Sequence, residues 1–260
     1  TDKLAFRLSG ADTGRQGFLT NRYDSSRAQN ADNFTVRGQL LAKPADNLSI
    51  RLIGDYSRQR QHFVLNLFAG FFGTYENGAP IANNFKDRIA RFNYSAASWN
   101  AFDRIGDSDA LFQSNMEGYG VSGQVDWETG GNTLTSITAY RWWDWNPAND
   151  GDSTGLPVMT RAQQANRQRQ FSQEIRIASN GERTVDYVAG AYYFWQVVRG
   201  YGAIGYGSAA GGFLLPAVPA AISNAALSGF ETTSTSTPET KSLAAFGQAT
   251  WNIGERLKLT

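Results

Sequence analysis

The chain has 260 residues, with 24 Lys and Arg against 23 Asp and Glu, a single histidine and no cysteine. That near-zero balance removes the electrostatic case for a nucleic-acid partner. The missing thiols exclude disulfides and thiolate chemistry while remaining compatible with an oxidising compartment, and the lone His62 excludes a multi-histidine metal site and weakens a Ser-His-Asp reading.

Taken in order, the chain reads as a series of alternating strands. Lys3–Ser9 sets Leu4, Phe6 and Leu8 against Ala5, Arg7 and Ser9. Phe34, Val36, Gly38, Leu40 and Ala42 oppose Thr35, Arg37, Gln39 and Leu41. Leu48, Ile50, Leu52, Gly54 and Tyr56 oppose Ser49, Arg51, Ile53, Asp55 and Ser57. Tyr119, Val121, Gly123, Val125 and Trp127 oppose Gly120, Ser122, Gln124 and Asp126. Thr133–Trp145 is ambiguous in register, because Arg141 and Asp144 fall on opposite faces, both toward its loop end. Phe171, Gln173, Ile175 and Ile177 oppose Ser172, Glu174, Arg176 and Ala178, whereas Val185–Val198 is apolar on both faces. Lys241–Ile253 groups Leu243, Ala245, Ala249, Trp251 and Ile253. Strands are thus predicted at roughly 3–15, 33–43, 47–60, 117–127, 132–145, 167–179, 185–200 and 240–253, with a ninth starting at Arg256. An Arg on a lipid face near the midplane costs about 2–4 kcal/mol, so charges segregated to one face are what a bilayer requires.

The connections are unequal. Lys43–Asn47, Glu128–Asn132, Asn180–Thr184 and Ile253–Arg256 are tiny turns, while roughly 61–115, 146–166 and 201–239 are long and irregular. Short turns on one rim and long loops on the other mark an outer-membrane β-barrel and orient it, with the turns periplasmic and the loops outside. Aromatics gather toward strand ends, as interfacial belts would. Gly200–Phe230 has no charged residue, but Pro216, Pro219 and its glycines break any spanning helix. A loop with a short helix near Ala220–Leu227 is expected instead. The fold class read from this is all-β: a transmembrane antiparallel up-and-down β-barrel, partial, with about eight to nine strands. Bacterial single-chain barrels have even strand numbers of at least about 8, so a ninth strand begun and cut off argues for an unclosed piece of a larger barrel.

The chemistry-bearing groups are few. Arg7, Arg37, Arg51, Asp55, Asp126, Glu174 and Arg176 should point into the lumen, where Arg37, Arg51, Glu174 and Arg176 are candidate ligand contacts within an otherwise solvated charged wall. Trp142, Trp143 and Trp145 form the densest aromatic cluster, either an interfacial girdle or a stacking surface for a sugar or an aromatic siderophore. Asp150 and Asp152, around Gly151, resemble part of a calcium loop, although a polar turn has the same composition. No Gly-x-Ser-x-Gly, HExxH or P-loop motif occurs, no cofactor is implied, and the chain does not read as an enzyme. A soluble all-β carbohydrate-binding module is the alternative.

Phe171-Ser172-Gln173-Glu174-Ile175-Arg176-Ile177-Ala178-Ser179, followed after its turn by Asp186-Tyr187-Val188-Ala189-Gly190-Ala191-Tyr192-Tyr193-Phe194, resembles a recurrent hairpin of TonB-dependent outer-membrane receptors. Leu4-Ala5-Phe6-Arg7 with Gly17–Asn21, Arg37-Gly38-Gln39-Leu40 with Asp55-Tyr56, and Ala245–Ala249 are similar to other strands of that family, in the same order. The resemblance implies a barrel of about twenty-two strands in the outer membrane of a Gram-negative bacterium, in contact with its lipid. It also implies a plug domain and TonB box in sequence preceding Thr1, further strands after Thr260, and energy from the TonB–ExbB–ExbD complex. The implied function is uptake of a scarce small-molecule ligand such as a ferric siderophore, with cobalamin or an oligosaccharide as the other family ligands. Residues 1–260 would then be one partial barrel domain without its plug.

Overall fold

The computed structural model describes residues 3–63, 65–181, 183–253 and 257–260. In chain order the strands are β1 (Leu4–Arg15), β2 (Leu19–Asn21), β3 (Arg27–Ala28), β4 (Ala31–Ala45), β5 (Leu48–Gln59), β6 (Ile105–Gly106), β7 (Gln113–Thr129), β8 (Asn132–Ala148), β9 (Met159–Ser179), β10 (Val185–Tyr206), β11 (Glu231–Ser236), β12 (Glu239–Ile253) and β13 (Leu257–Leu259). Helices α1 (Phe85–Ala90), α2 (Ala210–Leu214) and α3 (Ala220–Leu227) lie in the long connections. The short helix expected near Ala220–Leu227 is α3.

One antiparallel sheet runs β1-β4-β5-β7-β8-β9-β10-β12-β13, with β11 also paired to β10. Each long strand lies beside its neighbour in sequence, which is the up-and-down order of a β-barrel wall. Among the described residues β1 and β13 do not pair with each other, so the wall is open: a partial barrel.

The register sorts the two faces. Ser9, Arg37, Asp55, Gly120, Arg141, Gln170, Gln196 and Thr240 form one continuous row across eight strands, with no apolar side chain in it. The next row, on the opposite face, is Leu8, Gly38, Gly54, Val121, Tyr140, Phe171, Trp195 and Lys241, with its only charge at the last strand. The apolar face is bare: Phe6, Leu8, Val121 and Leu243 are 68, 64, 57 and 80 % exposed. A sandwich needs a second sheet over such a face, and none covers it among the described residues.

The turns follow from glycine geometry. Thr129 pairs with Asn132, leaving Gly130 and Gly131 as a two-residue loop with φ of 55° and 76°. Left-handed backbone at both positions is what a tight hairpin between right-twisted strands requires. Gly181, in the 180–184 turn, has φ 77°. The Ile253–Arg256 turn and the expected start of the ninth strand at Arg256 lie outside the described residues, apart from Ile253, which pairs with Leu257.

Two expectations need correction. The strands run further than the apolar alternation indicates: β9 and β10 have 21 and 22 residues. At about 3.3 Å per residue these span ~70 Å, well over the roughly 9–11 residues that cross a bilayer. The extension of β9 over Thr160–Arg167 is mostly polar on both faces, and that of β10 over Tyr201–Tyr206 is rich in glycine and aromatic residues, so neither carries a clear alternation. Arg141 therefore lies within β8 rather than in the charge-tolerant loop end, on the polar face.

The core sits in the loops rather than under the sheet. Ile89, Val158, Ala209, Ala210 and Phe213 pack together, joined by Phe85, Phe92, Tyr94, Leu156 and Tyr206. Leu19, Ala28, Leu65 and Phe112 form a second cluster beside the small sheet β3-β2-β6. The long connections thus fold into a cap over one end of the wall.

Candidate functional site

The polar face begins with an ion pair that spans three strands. Arg141 on β8 reaches Asp55 on β5, its Nη1 and Nη2 donating to Oδ2 and Oδ1 at 3.2 and 3.0 Å. The strand between them, β7, offers Gly120 in that row. A Cβ there would stand 2.8 Å from Arg141 Nη2, so a side chain at this position would push the guanidinium aside. Arg37 sits beside Asp55 in the row.

Glu174 and Arg176 share the polar face and form an ion pair of 3.2 Å. Arg176 faces Thr135, whose hydroxyl donates to Asp126 at 2.7 Å. Arg51 faces Gln124 one strand over, and Gln124 also donates to Asp126, at 2.7 Å. These charges lie near the short turns. Trp145 lies toward the cap, about 33 Å further along β8 at ~3.3 Å per residue. The structure therefore does not gather Arg51, Glu174 and Arg176 with the tryptophans.

The tryptophans themselves divide. Trp142 is on the apolar face, its ring stacked on Tyr119 with centroids 5.2 Å apart. Trp143 and Trp145 are on the polar face. Trp143 Nε1 donates to Gln168, and Trp145 Nε1 donates to Ser114 at 3.1 Å. Alternation along the strand splits adjacent residues between faces, so the sequence cluster is not one surface.

An open cavity of about 810 Å³ lies at the cap end of the polar face. Trp145 and Phe63 supply aromatic surface; Gln164 and Asn166 supply amides; and Ser234 and Ser236 of β11, which share the polar face with Gly202 and Gly200, supply hydroxyls. Among the described residues no charged side chain lines it. Such a lining offers stacking and neutral hydrogen bonds.

Above the cavity the cap is held by buried polar groups. Asn21, 1 % exposed, donates through Nδ2 to the Ser108 carbonyl and accepts from the Ser108 amide, both at 2.9 Å. Asp107 accepts from Arg22 Nε at 3.0 Å and from the Tyr94 hydroxyl. The Tyr94 oxygen in turn accepts the Gly155 amide at 2.9 Å. Burial and the bond to Asp107 push the Tyr94 phenol up to about 12. The connections between β1 and β4, β5 and β7, and β8 and β9 are thereby tied together.

Asp150 and Asp152 lie in the β8–β9 connection. The structure adds Asp109, from just before β7, with carboxylate oxygens of all three within 4.8 Å of one another. Asp109 lies far from the other two in sequence, so no local motif marks it. His62, in the connection after β5, has its ring 6.0 Å from that of Phe112.

No known protein-family profile matches the chain, and no curated protein matches it. Solved structures do. The ferric yersiniabactin uptake receptor FyuA from Yersinia pestis superposes with a TM-score of 0.63 at 16 % identity, over 98 % of this chain and 33 % of that one. The RagAB peptide importer in its closed-closed state gives 0.48 at 11 % identity, and a second RagAB peptide transporter structure gives 0.46 at 12 %, each over 96 % of this chain and 28 % of theirs. The chain thus spans about a third of the length of the structures it matches and, over nearly all of its own length, shares the fold of part of an uptake receptor.

Proposed function

We propose that the chain forms part of the barrel wall of an outer-membrane receptor that takes up a scarce solute by TonB-dependent transport. The observation that carries this is the pairing of one wholly polar row with a bare apolar face on a single open sheet, capped at one end. The apolar face would meet lipid, the polar face the lumen, and the cap the outside of a Gram-negative cell. Residues in the rest of the protein would form the plug and contact TonB–ExbB–ExbD. Trp145 and Trp143 would touch ligand at the cap end, Arg37 and Arg51 would line the path, and Glu174 with Arg176 would line its exit. Transport, not catalysis, is the activity.

A ferric siderophore is the solute this reading takes first, supported by the family resemblance and by the likeness to a ferric yersiniabactin uptake receptor. An oligosaccharide is the second reading, favoured by the uncharged amide, hydroxyl and tryptophan lining of the cavity. Deleting the full gene and growing the strain on single ferric siderophores, then on single oligosaccharides, separates the two. Loss of growth on one source, restored by the wild-type gene and only weakly by Trp145→Ala, is expected. Unaltered growth on every source, or recovery of the full-length protein in aqueous buffer without detergent, would refute the uptake reading.

A further inference from the structure

We infer that Asp109, Asp150 and Asp152 form a binding site for a divalent, oxygen-preferring cation, calcium foremost, which ties the segment before β7 to the β8–β9 connection. Their carboxylate oxygens lie within 4.8 Å of one another. No Lys or Arg forms an ion pair with any of the three among the described residues. Three like charges at this spacing repel strongly in a partly desolvated site.

A second observation points to a ligand. Asp150 is 6 % exposed, and its Oδ2, like Asp109 Oδ1, is buried without any hydrogen-bond partner. Buried polar atoms are almost always paired, and a buried carboxylate oxygen that no donor reaches calls for a cation. The remaining oxygens of Asp150 and Asp152 are held in place by main-chain donors. Asp150 Oδ1 accepts from the amides of Asp152 and Ser153, both at 2.9 Å. Asp152 accepts from the amides of Thr154 at 3.0 Å and Met159 at 2.8 Å. The Asp150 and Asp152 carboxylates are therefore oriented before any ion arrives. With none bound, burial and mutual repulsion push Asp109 up to about 7, and burial followed by repulsion from Asp150 pushes Asp152 up to about 6.

The donor set selects the ion. All three ligands are carboxylates, with neither imidazole nor thiolate, which favours hard cations over zinc or copper. Calcium accepts six to eight oxygens in flexible geometry, whereas magnesium demands a near-ideal octahedron. Ligands from two connections suit the more adaptable ion. This site is independent of the uptake reading, since it concerns how the cap is held and not what passes beneath it.

The test uses the full-length protein in detergent, stripped with a chelator and titrated with terbium, excited through its aromatic side chains. A saturable luminescence signal displaced by calcium is expected. Asp150→Asn and Asp109→Asn should each weaken it at least about tenfold while leaving the β-sheet circular dichroism unchanged. In the unmutated protein, amide exchange over residues 152–159 should slow by up to about 100-fold with calcium at 100 times its Kd. Equal terbium affinity in wild type and both folded variants overturns the site. So does calcium-independent exchange over 152–159 in the wild type, whatever the variants do.

Discussion

Gly207→Ala should open the cap and leave the wall intact. Gly207 follows β10, against the end of the β8–β9 connection. A Cβ there would overlap the Pro157 carbonyl oxygen and lie 2.7 Å from its carbon, where carbon atoms prefer about 3.5–4.0 Å. The obstructing atoms are backbone, so relief requires the two segments to part by about 1 Å. Two hydrogen bonds close this contact, Gly207 N to Val158 O and Ala209 N to Pro157 O, each 3.0 Å, and both would stretch past useful length. Each is worth about 0.5–1.5 kcal/mol net, and overpacking alone costs about 1–3 kcal/mol, so a combined ~3 kcal/mol is reasonable. That is a shift of about 100-fold in local opening. Hydrogen exchange by mass spectrometry on the detergent-solubilised full-length protein reads it directly. Amides over 156–159 and 207–213 should exchange about 100-fold faster, with the strand amides of β5 and β7 unchanged. Gly14→Ala, which meets nothing within 4 Å, is the control. Unchanged cap exchange in Gly207→Ala, or an equal rise throughout the sheet, would refute the reasoning that the cap is a separately closing unit.

Val121→Arg should destabilise the protein in lipid vesicles by about 2–4 kcal/mol, while Ser122→Arg on the polar face should change urea unfolding by much less; equal costs would mean the faces are misassigned. Gly130→Ala should cost about 1–2 kcal/mol through its left-handed backbone alone, and Gly130→Asn distinctly less, measured by the same unfolding curves. For Tyr94, folding raises the phenol from 10 to about 12. Its contribution is therefore complete below pH 10 and is lost as pH climbs toward 12, because only the unfolded chain releases the proton. The groups facing it are Asp107 and Arg22. Proteinase K nicking of the cap should accelerate over that window, and Tyr94→Phe should flatten the dependence from a weaker starting point.

The wall was legible in the sequence because a strand with one apolar and one polar face must alternate, and Phe34–Ala42, Leu48–Tyr56 and Tyr119–Trp127 do. Their register put Arg37 beside Asp55 and left the apolar row intact. Legibility ended where the two-faced alternation ends. Residues 160–166 form strand with mostly polar side chains and an alanine on each face, so nothing periodic betrays them. The cap is likewise built from contacts between distant connections, as with Asn21 and Ser108 or Tyr94 and Gly155, which no local window contains. The same holds for Asp109 joining Asp150 and Asp152. One cap element did carry a sign: Asn84 and Asp87 bracket the start of α1 as a reciprocal capping box, a spacing readable without coordinates. The tryptophan run misled for the opposite reason, since adjacency in a strand means separation in space.

The pairing of every long strand with its sequence neighbour has a consequence for change over time. The excursion from Gln59 to Gln113 is the longest in the wall, yet Gln59 still lies opposite Met116. Loop-closure entropy grows only as the logarithm of length, about 0.6 kcal/mol per doubling. Segments at the cap end can therefore lengthen, shorten or be exchanged with little penalty to the sheet that carries them. The wall behaves as a fixed frame with interchangeable inserts, and a lineage built on it can acquire a new recognition surface without having to relearn how to fold.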